Sequence, residues 1–445
     1  MTSGENRTVG LPVAYDETGG SLMTSSPAVR LVRRVGWGVA DQGMSSIANF
    51  VLGLVVARNT SSGDFGAFSL AFVTFSLVIS AVRGPSTDPL MVRFSGTTTP
   101  AWRRAVAAAT GTSLAGGVVA GMLCILVGLF LPSGLGVTFI ALGVGLPGIM
   151  LQDSYRFGFF SCGEAHRAFL NDLVWGVLQV AAIVVLAVAN LVTPGSAMLV
   201  FGASGAIAAA FGYLQMRVAP APWLARSWLV DHKSLGTRYL VENTSIGAAK
   251  QIRITAVGLV AGLAAVGYIR AAEMMMGPFM ILLAGVSQVA VPEAKHVLAR
   301  SARALYRFCA IFAGAQALLV AGWGVIALLV LPRGLGEALL GDLWAPAEPL
   351  LLPTLVLLWL VCFANSAAAA IRALGASRRS LVAQLVSAAA SVVLGVAGAV
   401  VNGALGSCWG LALGTLLGLG AWAWELRKAI NEHVPVQLAT DGRVS

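Results

Sequence analysis

The sequence predicts an all-α polytopic membrane protein, with twelve transmembrane helices in two pseudo-symmetric six-helix lobes around a central cavity. Composition is the first observation behind this prediction. The 445 residues are 57% hydrophobic and only 11% charged, whereas soluble domains carry about 25% charged residues. The second observation is a succession of apolar runs of about 18 residues or more, the length that crosses a bilayer. The third is an internal repeat, because short motifs of the first half recur in the second.

The apolar runs divide the chain into two halves of six predicted spans each. These spans are 35–57, 66–92, 104–131, 137–161, 169–191, 196–216, then 237–265, 268–291, 306–331, 349–373, 381–401 and 405–427. We therefore expect a disordered cytoplasmic tail at 1–29, an N-terminal lobe at 30–216, a cytoplasmic linker at 217–235, a C-terminal lobe at 236–428 and a cytoplasmic tail at 429–445. Because proline removes a helical hydrogen bond, Gly84-Pro85 and Gly277-Pro278 are expected to break or kink the second and eighth spans.

The distribution of basic residues predicts that both termini are cytoplasmic. With that orientation, the inner loops and tails hold 24 of the 29 Lys and Arg residues, and the outer loops hold only Arg58 and Arg333. The remaining three, Lys250, Arg253 and Arg270, fall within spans. Lys and Arg concentrate in the cytoplasmic loops of membrane proteins. Topology thus accounts for the net charge of +10, and we expect no nucleic-acid partner.

The internal repeat relates corresponding loops of the two halves. Leu131-Pro-Ser-Gly-Leu-Gly136 recurs as Leu331-Pro-Arg-Gly-Leu-Gly336, each after the third span of its half. The inner loop at 163–174 likewise parallels the loop at 375–386. Each half has an even number of spans, so both halves enter the membrane from the same side. This is a parallel repeat, and transporters built in this way carry substrate between the two halves.

Several classes of chemistry find no support in the sequence. The five cysteines have no paired spacing and fall in or beside apolar spans, where we interpret them as small buried hydrophobes. The four histidines show no metal-ligand spacing. A Walker A sequence is missing, which argues against a built-in ATP motor. We therefore expect no catalytic site, no metal and no cofactor, and the protein is not expected to be an enzyme.

One apolar stretch carries an unusual charged face. It runs from Gly236 to Val266 and contains Glu242, Lys250 and Arg253. On a helix that turns about 100° per residue these three side chains share one face. Because lipid cannot solvate charge, that face is expected to look into a bundle interior or a wet cavity.

The internal repeat relates two charged positions of this face to polar positions in the first half. A shift of about 201 residues puts Asp41 opposite Glu242 and Asn49 opposite Lys250. The sequence therefore predicts that the first and seventh spans face each other across a cavity.

Three stretches resemble the polysaccharide-biosynthesis flippases. These are the O-antigen and teichoic-acid exporters of the multidrug/oligosaccharidyl-lipid/polysaccharide superfamily. The stretches are 43–68, with its ending Val-Val-Ala-Arg-Asn-Thr-Ser-Ser-Gly-Asp-Phe-Gly-Ala-Phe, then 152–156 with 171–175, and 266–270 with Gly277-Pro278 and 291–294. The resemblance covers residues 30–427. It implies a central cavity lined mainly by spans one, two, seven and eight, and export of lipid-linked sugars by alternating access.

The resemblance also implies a place and partners for the protein. We expect it in the bacterial inner membrane, where it would move a polyprenyl-diphosphate-linked oligosaccharide outward for assembly of cell-surface polysaccharide. Expected partners are the lipid-linked oligosaccharide, membrane lipids, and glycosyltransferases or a polysaccharide polymerase, with the chain itself a monomer. Two rival functions are a cation-coupled multidrug exporter of the same superfamily and a non-transporting scaffold for glycosyltransferases.

The candidate site residues fall into two groups. Candidates for substrate binding are Lys250, Arg253, Arg270, Arg83, Arg156 and Asn49, and candidates for gating or coupling are Asp41, Glu242 and Glu273. Guanidinium and ammonium groups suit the diphosphate of the substrate. Structural roles compete with each assignment, in particular an ion pair of Lys250 or Arg253 with Asp41 or Glu242.

The remaining candidates also have simpler interpretations. Arg270 and Glu273 are spaced as an i,i+3 pair at a helix end. Arg83 and Arg156 lie near the cytoplasmic rim, where long basic side chains reach for headgroups. Asn49 suits either a sugar hydroxyl or helix packing.

Overall fold

The computed structural model describes residues 27–94, 98–277, 279–280, 294, 297–298, 301 and 304–441. The helices of the first half are α1 (Pro27–Asn59), α2 (Ser62–Arg93), α3 (Pro100–Phe130), α4 (Ser133–Ser161), α5 (Ala165–Val188) and α6 (Pro194–Met216). Those that follow are α7 (Ala225–Asp231), α8 (Lys233–Ala261), α9 (Leu263–Met275), α10 (Ala304–Val330), α11 (Leu335–Leu340), α12 (Trp344–Ala347), α13 (Leu351–Ala373) and α14 (Ser377–Asp441). No strand occurs among the described residues. We call the end of the bundle where α1 begins the terminal end, and the end where α1 gives way to α2 the distal end.

Capping residues explain where the first-half helices begin. The Ser61 hydroxyl accepts the backbone N–H of Asp64 at the start of α2. Thr99 caps α3 in the same way and is followed by Pro100. Thr193 begins α6 with a capping box. A hydroxyl at the N-cap satisfies a backbone N–H that has no partner within the helix, so these residues fix the helix starts.

The long helix α14 contains two limbs that run in opposite directions. Its backbone leaves helical geometry at Asn402 and Gly403, where Gly403 has a φ of +52°. Residues before and after this turn then meet in antiparallel order: Gly398 with Gly406, Leu394 with Gly410, Ser391 with Gly414 and Ser387 with Gly418. Glycine on one side of each contact lets the two backbones approach closely. The reversal separates the predicted spans 381–401 and 405–427.

The two halves meet where α2 runs antiparallel to α8 and the start of α9. Four glycines stand at the contacts: Gly236 against Pro85, Gly84 against Leu240, Gly247 against Leu77, and Gly66 against Leu263. At the distal end a Cβ on Gly66 would lie 1.7 Å from the Leu263 carbonyl oxygen, so only glycine fits there. We call this contact line the seam.

At the distal end of the bundle, two contacts of the seam are related to each other by the internal repeat. Gly66 meets the backbone of Leu263, and Gly267 meets the backbone of Ser62, where a Cβ would lie 2.7 Å from the carbonyl oxygen. A shift of about 201 residues along the chain relates Gly66 to Gly267 and Ser62 to Leu263, so it turns one of these contacts into the other. A pair of contacts related in this way is what a two-fold interface produces, so the repeat is visible in the packing.

The predicted spans compare with the described helices as follows. Nine stretches of the described chain are long and apolar enough to cross a membrane. The helix α8 is not among them, since its mean hydropathy is lowered by its charged residues. The helix α9, which contains the start of the eighth span, ends at Met275 and is followed by a turn at Met276. Gly277, Phe279 and Met280 are helical again, and Pro278 lies outside the described residues. In contrast, α2 continues through Gly84-Pro85 and does not break there. The twelve-span, two-lobe arrangement and the orientation of the termini stay predictions.

Candidate functional site

A cavity of about 1220 Å³ opens between α1, α8, α9, α13 and α14. Its charged lining groups are Lys250, Arg253, Arg270, Glu273 and Arg372, and its neutral polar lining includes Gln42, Ser46, Asn49, Thr354, Asn365, Gln384, Ser387, Ser391 and Thr415. Apolar side chains complete the wall, among them Phe50, Phe72, Met274, Met276 and Met280. The cavity therefore offers both a charged region and a region of amides and hydroxyls.

The charged region is built around one carboxylate, Glu273 on α9. The Lys250 ammonium lies 3.1 Å from Glu273 Oε2, and guanidinium nitrogens of Arg270 and Arg253 lie 3.7 and 3.8 Å from its two oxygens. We call these four residues the cation cluster. Three positive charges meet one negative charge, which leaves two positive charges in excess. Such a cluster holds anions well, because charge-assisted hydrogen bonds are the strong ones.

The members of the cation cluster differ in burial, since its arginines are more buried than its lysine. The side chain of Arg253 is 4% exposed. It passes against Gly395, where a Cβ would lie 2.8 Å from its Cδ, and points to Ser407. Lys250, by contrast, is 42% exposed. The lysine is therefore the most exposed member of the cluster.

Arg270 connects the cation cluster to the first half of the chain. Its guanidinium lies 4.9 Å from the ring centroid of Phe72 on α2, which is a cation–π contact across the seam. Phe72 in turn packs on Phe68, Phe75 and Phe201, an aromatic group in the first half. This contact couples the position of Arg270 to the position of α2.

A second charged cluster lies inside the first half. Arg83 makes a bidentate pair with Asp153, with distances of 2.7 and 2.5 Å. Arg156 bonds to Asp41 and also approaches Asp172 at 3.3 Å and Asp153 at 3.8 Å. Two guanidinium groups thus share three carboxylates. We call these five residues the inner cluster.

Buried amides extend the inner cluster. Gln152 donates to Asn171 at 2.9 Å and to Asp172 at 2.7 Å, and Asn171 donates to the Ala208 carbonyl. Asp41 is fully buried, and its Oδ1 finds no hydrogen-bond partner among the described residues. Gln152 Oε1 in the same network also has no partner among the described residues, and a buried polar group without a partner is costly.

The structure separates the sequence-predicted residues into two places. Lys250, Arg253, Arg270, Glu273 and Asn49 line the cavity together. The other three with described side chains, Arg83, Arg156 and Asp41, belong to the inner cluster and do not line it. The side chain of Glu242 lies outside the described residues.

The ion pairs differ from the pairs that the sequence suggested. We expected Asp41 or Glu242 to counter Lys250 and Arg253, but Asp41 bonds to Arg156 and the two cations meet Glu273. The reason is the turn at Gly262, whose φ of +84° lets α9 fold back beside α8. The sequence suggested Glu273 as a gating or coupling residue and as a partner of Arg270 three residues away, but not as the partner of Lys250 and Arg253.

Asp172 of the inner cluster is a charged residue that sequence reasoning missed, as is Arg372 in the cavity lining. Asp172 stands in the stretch 171–175 that carried part of the resemblance, and it approaches Arg156 at 3.3 Å. Its position beside Asn171 inside an apolar span was the available signal, since a carboxylate there needs a partner.

The fold is that of transporters of the MOP superfamily. A multidrug resistance MATE family transporter of this superfamily, in its inward-facing conformation, superposes with a TM-score of 0.65 at 14% identity, covering 88% of this chain and 96% of that chain. The lipid II flippase MurJ, in an inward closed conformation, gives a TM-score of 0.67 at 10% identity, covering 91% of each chain. A MOP superfamily transporter from Pyrococcus furiosus, described as having a binding pocket of reverse polarity, gives 0.55 at 15% identity, with coverage of 92% and 97%.

These similarities show the fold and leave the substrate open. No protein-family model matches the chain, and no curated protein matches it. The superfamily expected from the sequence agrees with the fold, and the polysaccharide-flippase subfamily stays a prediction. The same fold serves a multidrug transporter and a lipid II flippase, so function has to be argued from the cavity itself.

Proposed function

We propose that this chain is a flippase that exports a polyprenyl-diphosphate-linked oligosaccharide by alternating access. The observation that carries the proposal is the excess of two positive charges in the cation cluster. A diphosphate that joins a lipid to a sugar carries two negative charges, so it balances the cluster. An organic cation, the usual cargo of a multidrug exporter, would meet repulsion at the same place.

The rest of the cavity suits the other parts of such a substrate. Its volume of about 1220 Å³ exceeds the roughly 300–1,000 Å³ of ordinary ligand pockets. The amides and hydroxyls of Asn49, Asn365, Gln384 and Thr415 are neutral lining groups that hydrogen-bond to sugar hydroxyls. The flexible side chains of the methionines adapt to lipid.

The membrane potential makes outward movement of an anion favourable. An interior-negative potential drives an anion outward by about 2.3 kcal/mol per charge per 100 mV. Two charges moved across the whole field would therefore gain about 5 kcal/mol per 100 mV. Export of a diphosphate thus needs no coupling ion, and consumption of the product outside would add to the driving force.

The inner cluster favours a second candidate, a cation-coupled exporter. Three carboxylates share two guanidinium groups, and the Oδ1 atom of Asp41 has no partner among the described residues. One negative charge is in excess there, so a proton or a monovalent cation would neutralise the cluster. In that case Asp41 would act in coupling, the role suggested for it from the sequence.

The proposal is tested by translocation of a lipid-linked sugar in proteoliposomes. Lys250→Ala and Arg253→Ala are each expected to slow transport at low substrate concentration by about tenfold or more, since a hydrogen bond to a charged group contributes about 1.5–3 kcal/mol. Arg427→Ala is the matched control, because Arg427 lies on α14, which also lines the cavity, and is exposed outside it. Unchanged transport in both cavity variants would remove the diphosphate-binding role, whereas no transport by the folded wild-type protein would favour the scaffold function.

A gradient experiment distinguishes the two transport candidates. Transport of the lipid-linked sugar should follow the membrane potential and remain when sodium and pH gradients are abolished. A cation-coupled exporter would lose net transport without its gradient and would be inhibited by Asp41→Asn. If transport collapses with a pH or sodium gradient while the membrane potential is held constant, the uncoupled mechanism is wrong.

A further inference from the structure

The segment between the two halves presents one face to the bundle and the opposite face outward. A short 3₁₀ turn (Pro222–Leu224) leads into α7. Trp228 is buried against the bundle. On the other side, Trp223 is 77% exposed and Val230 is 66% exposed, and Arg226 between them is also exposed. We call Trp223, Arg226 and Val230 the linker face. Two large apolar side chains flanking a cation form an amphipathic surface of the kind that lies in a membrane interface.

The buried side of the linker supplies a hydrogen bond to a backbone carbonyl of α2 that has no partner within that helix. Pro89 has no N–H, so the carbonyl of Pro85 loses its partner within the helix. The Trp228 indole N–H donates to this carbonyl at 3.1 Å and to the Ser86 carbonyl at 3.2 Å. The linker is thereby attached to α2 beside Gly84, where α8 approaches in the seam. Trp228 therefore connects the linker to the part of α2 that takes part in the seam.

The depth of the linker follows from the length of α3. That helix has 31 residues, or about 46 Å, and its distal residue Phe130 is 83% exposed in a run of lipid-facing side chains. Counting back the roughly 20 residues that cross the hydrocarbon core leads from Phe130 to Gly111. The backbone of Ala221 rests against Gly111, and its N–H donates to the Ala107 carbonyl at 2.8 Å. Trp223, two residues on, therefore lies at the level where hydrocarbon meets headgroups.

The positive charge around the linker is complementary to an anionic membrane surface. Seven exposed cations lie in or beside it in the described chain: Arg93, Arg103, Arg104, Arg217, Arg226, Lys233 and Arg238. Two of these arginines are tied to the linker region through backbone carbonyls, Arg93 to Asp231 and Arg103 to Arg217. Asp231 itself is an exposed carboxylate. A cluster of this size beside a membrane attracts anionic lipid.

We propose that the linker face docks on the anionic phospholipid surface at the terminal end and fastens α2 through Trp228. Trp223 and Val230 enter the interface, and Arg226 with the surrounding cations contacts lipid phosphates. The anchoring depends on lipid charge, because the apolar contact area of two side chains is small. Docking restrains the linker, and the linker restrains the kink-prone part of α2.

The proposal is tested by hydrogen exchange of the full chain in lipid nanodiscs, made of phosphatidylcholine alone or with added phosphatidylglycerol. The backbone amides of 223–233 should exchange at least about fivefold more slowly with the anionic lipid, the effect expected when one basic group gains a charged surface. Arg226→Glu should abolish most of this difference. Trp223→Ser should speed exchange in both lipids, since it removes the apolar contact.

The control variant is Arg333→Glu, which makes the same charge change on an exposed residue between α10 and α11 at the distal end. It should leave the exchange of 223–233 and its lipid dependence unchanged. Equal exchange rates in the two lipid compositions would overturn the proposal. A lipid dependence that survives Arg226→Glu and Trp223→Ser would also overturn it, because the linker face would then not be the surface in contact.

Discussion

Replacing Glu273 by glutamine separates the two transport candidates by the sign of its effect. Glutamine keeps the shape of the side chain and removes the one carboxylate that three cations approach. The excess positive charge of the cation cluster rises from two to three. An anionic substrate should therefore bind more tightly to Glu273→Gln, and a cationic substrate should bind more weakly.

The magnitude follows from the geometry of the cluster. The Lys250 ammonium lies 3.1 Å from the carboxylate, so an anion on the other side of that ammonium would lie roughly 6 Å from Glu273. At an effective dielectric constant of about 20, two like charges at that distance repel by about 3 kcal/mol. Removing this repulsion corresponds to about a hundredfold in affinity per charge. Water in the cavity screens part of it, so we expect at least about tenfold tighter binding of a diphosphate.

Binding is measured by calorimetry with a short-chain polyprenyl diphosphate and with an organic cation, on wild type and Glu273→Gln. Thermal unfolding supplies the control for folding. Without ligand the variant should be less stable, because three cations lose their counter-ion, and added diphosphate should restore more stability than in wild type. A dissociation constant for diphosphate that stays the same or rises in a folded Glu273→Gln protein would refute the reasoning. Tighter binding of the organic cation would do so as well.

Three further changes test contacts elsewhere. Phe72→Leu removes the cation–π contact at 4.9 Å and should weaken diphosphate binding by about 0.5–2 kcal/mol. Phe72→Tyr keeps the aromatic ring and should not weaken binding. Equal losses of binding free energy in the two variants would contradict this role. Gly66→Val puts a side chain onto the Leu263 carbonyl, so hydrogen exchange at the distal seam should become faster, and unchanged exchange would count against it. Arg156→Gln leaves buried carboxylates without their partner and should cost about 3–5 kcal/mol of stability, read as a lower unfolding temperature; adding Asp41→Asn should recover part of the loss.

Periodicity and length predicted most of the helices, because those properties are local. The spans 104–131 and 137–161 differ by only a few residues from α3 and α4. The cap residues that fix helix starts, such as Thr99 and Thr193, are likewise legible in sequence. The charged stretch on α8 was also identifiable, because charge inside an apolar run has to face a cavity or a partner. Both Lys250 and Arg253 do line the cavity.

The partners of those charges could not be read from sequence, because they depend on how helices pack. Glu273 meets Lys250 from 23 residues away, and the approach is set by the turn at Gly262. Arg156 meets Asp41 from 115 residues away. The spacing of residues in the sequence decides which side chains share a face of a helix. The packing of the helices decides which of several opposite charges each side chain meets. The inner cluster was missed as a unit for this reason.

The distribution of charge between the halves has a consequence for alternating access. All four residues of the cation cluster lie on α8 and α9, and so in the second half, while the charges of the inner cluster pair with one another within the first half and leave one negative charge in excess. Among the described residues, Phe72 is the aromatic side chain of the first half that touches the cation cluster. If the halves rock apart, a bound diphosphate can stay with the second half at the cost of one cation–π contact, about 0.5–2 kcal/mol. A substrate bound by charged side chains of both halves would have to break several ion pairs in each transport cycle. The asymmetric placement of charge therefore favours a cycle in which the cavity changes its access and the anion keeps its ligands.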